Sequence, residues 1–153
     1  MAAPGCGAGR WIGSGRQMQM SKARQLGDFE GSWTLSRRIM PRRGAGAVFE
    51  GTAIWSRAHG GLRYVEKGLM QIDGQAGMQA ERRYFWSGEL SVFFEDGRFF
   101  HNVPPHGGET EHWCDPDTYK GIYDFTRWPQ FEVTWQVTGP KKDYLSKTLY
   151  TRA

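Results

Sequence analysis

The chain has 153 residues, 14% of them aromatic and 21 of them glycine, with a formal net charge of +4. That length is enough for one domain with a real core, and no apolar run approaches the length of a membrane-spanning helix. The charge is uneven: Arg10, Arg16, Lys22 and Arg24 precede the first acidic residue, Asp28, and from there sixteen basic residues meet sixteen acidic ones. A neutral body with scattered basic pairs, such as Arg37-Arg38 and Arg82-Arg83, argues against nucleic acid as a partner. The two cysteines, Cys6 and Cys114, make no disulfide framework, and reduced thiols point to the cytoplasm.

In chain order, residues 1–20 are too poor in apolar content to pack, so a disordered tail is expected ahead of one domain over 21–153. The tail lacks the apolar stretch of a secretory signal. An over-extended start, with Met18 or Met20 as the true one, accounts for it better than a transit peptide. Ser21–Leu26 reads as a short helix, capped by Ser21 and stopped by Gly27. Ten strand-like runs follow, at about 32–39, 47–56, 61–71, 78–86, 90–95, 98–103, 110–114, 118–126, 130–138 and 144–152. Turn chemistry separates them, for example His59-Gly60-Gly61, Asp73-Gly74, Ser87-Gly88 and Asp96-Gly97. Nothing helical interrupts the series. The fold class is therefore all-β, a closed up-and-down antiparallel barrel of about ten strands. A barrel of that size encloses more room than side chains fill.

Phasing from Trp33 as inward places Leu35, Arg37 and Ile39 inside. The next two runs offer Phe49, Gly51, Ala53 and Trp55, then Leu62, Tyr64, Glu66 and Gly68. The fourth run depends on its turn. A two-residue loop brings Arg83 and Phe85 inward, and a three-residue loop brings Arg82, Tyr84 and Trp86, the register we prefer. A two-residue turn at Asp96-Gly97 pairs Phe94 with Phe99 and Val92 with His101. A second turn at Pro105–Gly108 then sets His101 opposite His112. One face would carry Val92, Phe94, Phe99, His101, His112 and Cys114. A four-residue loop at Asp115–Thr118 pairs Cys114 with Tyr119 and turns Tyr119 and Tyr123 inward.

Gly31-Ser32-Trp33, opening a meander after a short helical turn, resembles the Gly-x-Trp start of the calycin superfamily of lipocalins, fatty-acid-binding proteins and nitrobindin-like haem barrels. The resemblance covers Phe29 to the C-terminus. It implies that Trp33 plugs the closed end and that the interior holds a small hydrophobic or amphipathic molecule. The segments FFEDGRFFH and EHWCDPDTY also resemble those of a bacterial family with no assigned function. A Thr-Asp-Tyr run typical of secreted lipocalins is missing. Leu35 follows Thr34 where nitrobindin-like barrels carry a second Gly, and no His follows His112, so haem is not expected.

The candidate ligand-binding residues are Arg37, Glu66, Arg82, Tyr84, His101, His112, Tyr119 and Tyr123. Charge inside a barrel must pair, hold water or meet a ligand, and an interior Arg suits an oxyanion. His101, His112 and Cys114 have metal-ligand chemistry, but core histidines and a buried thiol are the better reading, so neither metal nor cofactor is expected. The leading function is binding of a small amphipathic or aromatic ligand. The rivals are an enzyme using Arg82, His101 and Tyr123 in the same pocket, and a ligand-free interaction barrel. A strongly perturbed histidine in a formed pocket favours the enzyme, and a solid interior favours the interaction barrel.

Overall fold

The protein is described from a computed structural model over residues 22–153. The predicted tail and Ser21 lie outside the described residues. Residues 22–25 form no helix. A single 3₁₀ turn at Leu26–Phe29 takes its place, closed by mutual hydrogen bonds between Gln25 and Asp28. Gly27 sits inside that turn instead of ending a helix, because the apolar residues Leu26 and Phe29 are spaced for one turn onto the barrel floor.

Ten antiparallel strands follow: β1 Gly31–Pro41, β2 Ala47–Ala58, β3 Gly61–Ile72, β4 Met78–Trp86, β5 Ser91–Phe94, β6 Phe99–Asn102, β7 Gly108–Cys114, β8 Asp117–Asp124, β9 Phe131–Thr138 and β10 Asp143–Arg152. They form one sheet in the order β6-β5-β4-β3-β2-β1-β10-β9-β8-β7. First and last strands pair, so the sheet curls into a nearly closed barrel whose ladder stops between β6 and β7. The expected pairing of His101 with His112 is therefore not made. Pro104 and Pro105 have no N–H to give a ladder, and the Val103 and Gly107 amides are spent on Leu90 and Pro104 carbonyls.

Local turn chemistry sets the registers. His59 and Gly60 both have positive φ, 47° and 79°, as a two-residue type I′ hairpin requires. At the β4–β5 turn, Ser87 bonds Ser91 across Gly88, Glu89 and Leu90, with Leu90 at φ 63°. That three-residue loop turns Tyr84 and Trp86 inward. The Asp96-Gly97 turn also has three residues: Phe94 N–H donates to the Arg98 carbonyl, and only Gly97 has positive φ. Phe93 thus faces Phe99, and a bulge then restores Val92 opposite His101. The extra residue is Phe100, which turns inside, while Phe99 packs on Phe93 instead of entering the interior. The β7–β8 loop has two residues, Asp115 and Pro116, so Tyr119 faces His112 and Cys114 is exposed at the strand end.

The closed end is a solid aromatic floor. Fully buried Phe29 meets Trp55, Trp86, Trp128 and Phe131 at ring centroids 5.0–5.8 Å apart. Each such burial contributes roughly 1.5–3 kcal/mol. Trp33 is also fully buried in this floor. Its indole N–H donates to the Phe29 carbonyl at 2.9 Å. The Arg152 guanidinium lies over the Trp33 ring at 4.1 Å and donates to the Asp28 and Glu30 carbonyls, tying the last strand to the 3₁₀ turn. Higher up, Gly121 faces Trp135 across β8 and β9, and a Cβ there would stand 2.7 Å from the indole. Gly121→Val should push that ring aside and cost about 1–3 kcal/mol by urea denaturation. A loss under about 0.5 kcal/mol would show that the ring has slack.

Candidate functional site

Above the floor the barrel encloses a cavity of about 380 Å³. Its lower wall is apolar, with Trp55, Trp86, Val92, Phe131 and Val133. Phe94, Phe100 and Trp135 add an aromatic flank, Phe100 stacked between the other two at 4.6 and 5.1 Å. Its polar side comes from β1, β3, β4 and β10.

Glu66 is the centre of the polar side, with 2% of its surface exposed. Arg37 reaches it from β1 across β2, with its guanidinium 5.4 Å from the ring of its register partner Phe49, and the small residues Gly51 and Ala53 lie between the levels of Arg37 and Glu66. The Arg37 fork donates to both carboxylate oxygens at 2.6 and 2.9 Å, and its Nε donates to Thr148 Oγ1 at 2.7 Å. Tyr64 donates to Glu66 at 2.5 Å and its hydroxyl lies 2.9 Å from that of Tyr150. Burial works against the Glu66 charge, but the hydrogen bonds and charge of Arg37, with Arg82 and Tyr64, outweigh it and hold the carboxyl below its usual range. Burial likewise opposes the Arg37 charge and is outweighed by Glu66, so its pKa is raised.

Arg82 faces Glu66 in the β3–β4 register, but its nearest approach is 3.5 Å, from Nε. One guanidinium nitrogen donates to the Tyr84 hydroxyl at 3.1 Å. Its side chain is 48% exposed, against 7% for Arg37. Two arginines thus share one carboxylate, and the second stands at the mouth with most of its donors unspent. Tyr119 and Tyr144 also stand at this end, and Lys142 donates to the Tyr119 hydroxyl at 3.4 Å.

His101 and Tyr123 form the other polar pair, Nε2 to hydroxyl at 2.8 Å. Burial pushes His101 down to about 3, with His112 adding to the shift, and burial raises Tyr123 well above its ordinary value. Both are therefore neutral at pH 7.

Seven of the eight predicted site residues, Arg37, Glu66, Arg82, Tyr84, His101, Tyr119 and Tyr123, line this one cavity. His112 is buried outside it, its ring against those of Phe94, Phe100 and Tyr119. Cys114 is exposed and takes no part in the interior face expected for it. Among the described residues no group of three or more His, Cys, Asp or Glu is placed to hold a metal ion. Sequence reasoning missed Thr148 and Tyr150. The signal was the alternation Tyr144, Ser146, Thr148, Tyr150, which turns inward although Leu145 and Leu149 are the more apolar set.

These features define a class: a nearly closed antiparallel barrel around an aromatic cavity with a buried, charged wall. Residues 29–152 match the family described as Family of unknown function (DUF6314), and the chain belongs to that family. No curated protein matches it. Among solved structures it is similar to the S-type phycobiliprotein lyase CPES from Guillardia theta, at TM-score 0.57 and 7% identity over 84% of this chain and 90% of that one. At that identity the likeness concerns the fold. Among the described residues no helix is long and apolar enough to cross a membrane.

Proposed function

We propose that this calycin-like barrel binds a small amphipathic ligand with an aromatic or apolar body and an anionic head. The observation that carries the reading is Arg82. It is the surplus cation at the mouth of a cavity of about 380 Å³, within the size range of small-molecule sites. Arg37 and Glu66 cancel, the histidine pair is neutral, and the interior keeps one uncompensated positive charge facing aromatic walls. A carboxylate or phosphate on Arg82 completes its fork, while the body lies against Phe94, Phe100 and Trp135. A lyase that shares the fold, and whose name says it handles phycobiliproteins, is compatible with a small ligand in such a barrel. The ligand-free interaction barrel would need a solid interior, which the cavity argues against.

The enzyme reading draws on His101, whose pKa is strongly displaced. The displacement runs towards neutrality and away from the operating pH, so His101 would be a weak base and no acid at all at pH 7. Binding is the better reading. Calorimetry with naphthalene-2-carboxylate and its neutral amide tests it. The acid should bind more tightly, and Arg82→Met should weaken the acid by about tenfold while sparing the amide. An amide that binds as well as the acid, or an Arg82→Met protein that keeps the difference, would sink the reading.

A further inference from the structure

The open end of the cavity offers more donors than one carboxylate can use. Arg82, Tyr84, Tyr119 and Tyr144 line the cavity there, and each is at least partly open to solvent. The Tyr84 hydroxyl accepts from Arg82 at 3.1 Å, and the Tyr119 hydroxyl accepts from Lys142 at 3.4 Å. A phenol that accepts from a cation keeps its own proton to donate. Lys142 also meets Asp117 at 3.2 Å, which leaves its ammonium an N–H to spare, and its side chain is 45% exposed.

Tyr144 joins these two pairs. Burial raises its pKa, with Tyr119 and Tyr84 adding to the rise, while Lys142 and Arg82 pull it down. Groups that act on one hydroxyl lie around it, so the Arg82–Tyr84 and Lys142–Tyr119 pairs flank a common space. Tyr144 is also a wall of a second groove, of about 530 Å³, between the β1–β2 and β9–β10 loops. Arg42, Arg43, Lys141 and Lys142 line that groove, and the Arg42 N–H ties its two loops by donating to the Asp143 carbonyl at 2.9 Å. Arg42 meets the Asp143 carboxylate at 3.4 Å and Lys142 meets Asp117, so the loops bring more positive charge to the mouth than the acids bonded to them cancel. A monoanion on Arg82 leaves that surplus unanswered, and a second negative charge is favoured beside it.

We propose that the head selected at this mouth is a phosphoryl group, held between Arg82 and Tyr84 on one side and Lys142, Tyr119 and Tyr144 on the other. This deepens the binding reading above and rests on it. A carboxylate has two oxygens in one plane, and the Arg82 fork takes both. A phosphate monoester carries a charge of about −1.5 to −2 at pH 7 and three acceptor oxygens around a tetrahedral centre, so one oxygen is left for the Lys142 side. The substrate class narrows from amphipathic anions to phosphate monoesters of aromatic or apolar alcohols. A phosphodiester, the linkage in a phospholipid head, has lost both the second charge and the third free oxygen.

The test is calorimetry on the full chain with naphthalene-2-carboxylate, 2-naphthyl phosphate, methyl 2-naphthyl phosphate and inorganic phosphate. The monoester should bind at least about tenfold more tightly than each of the other three. These comparisons are made on the unaltered protein and hold even if a variant fails to fold. Lys142→Met should then erase most of the preference for the monoester over the carboxylate. Equal affinity of monoester and carboxylate, or a Lys142→Met protein that keeps the full preference, overturns this inference and leaves the binding reading standing. So does a diester that binds as tightly as the monoester, which would point to a lipid-type head. Inorganic phosphate that binds as tightly as the monoester also overturns it, because the body would then add nothing. Failure of every naphthyl probe to bind overturns the binding reading and this inference with it.

Discussion

Replacing Arg37 by Met is expected to cost the fold about 3–5 kcal/mol, whereas Arg82→Met is expected to stay within about 1 kcal/mol. Arg37 makes both forked bonds to Glu66 and a third to Thr148 in a buried wall. Removing it leaves a carboxylate, itself 2% exposed, with Tyr64 and a distant Arg82 only. A chain of this size should lose on the order of 10 °C in melting temperature. The double change Arg37→Met/Glu66→Gln should recover most of the loss, because the stranded charge is gone. By sequence, Arg82 reads as a ligand-facing arginine, with pairing to Glu66, its neighbour across the β3–β4 hairpin, as the alternative. The structure gives the forked bonds to Arg37 and leaves Arg82 at 3.5 Å from Glu66 with its side chain 48% exposed. Melting curves of the two single variants decide the point. A severe loss in Arg82→Met, with a mild one in Arg37→Met, would reverse the assignment and remove the cation on which the binding proposal stands.

Acid should weaken the protein well before carboxylates titrate. His101 in the folded state has its pKa pushed down to about 3 by burial, with His112 contributing, against about 6.5 for an unfolded chain. Between those values the unfolded chain binds a proton that the folded protein excludes. The stabilisation is therefore complete above about pH 6.5 and is lost progressively as the pH falls towards 3, at up to about 1.4 kcal/mol per unit. His112 is lowered too, by burial and then by Arg98, and acts in the same direction. Glu66 adds its own loss only lower, since a depressed carboxyl contributes above its unfolded value near 4.3. The window from pH 6.5 to 5.0 thus isolates the histidines, and stability should drop there by about 2 kcal/mol. His101→Phe should flatten most of that slope in urea titrations at the two pH values. Parallel slopes in the two proteins would mean that His101 is charged or solvated in the fold.

Much of the interior was decided locally. Strand alternation counted from Trp33 puts Leu35 and Arg37 inside, and both are buried. Positive φ at His59 and Gly60 makes the two-residue hairpin that the glycine pair announces. The three-residue loop after Ser87 turns Tyr84 and Trp86 inward, and that choice needed only the turn and the greater apolar weight of one parity. His101 reached its place by another route. The Asp96-Gly97 loop is one residue longer than expected, and the bulge at Phe100 cancels the shift. Phe99-Phe100 is apolar at both positions, so alternation there could not show that an extra residue was present.

What the sequence determined by itself was whatever depends on neighbours in the chain: ten strands, turns such as His59-Gly60 and the loop after Ser87, and the inward parity of residues such as Arg37, Glu66, Arg82 and Tyr84. What only the tertiary structure decided depends on strands that are not neighbours. Arg37 meets Glu66 because β1, β2 and β3 curl until small residues on β2 let one side chain cross. Arg152 covers Trp33 because β10 closes on β1, and the ladder opens at β6 and β7 because two prolines divert the chain. A side chain's parity follows from one strand, but its partner follows from the curvature of the whole sheet, which no single stretch of sequence encodes.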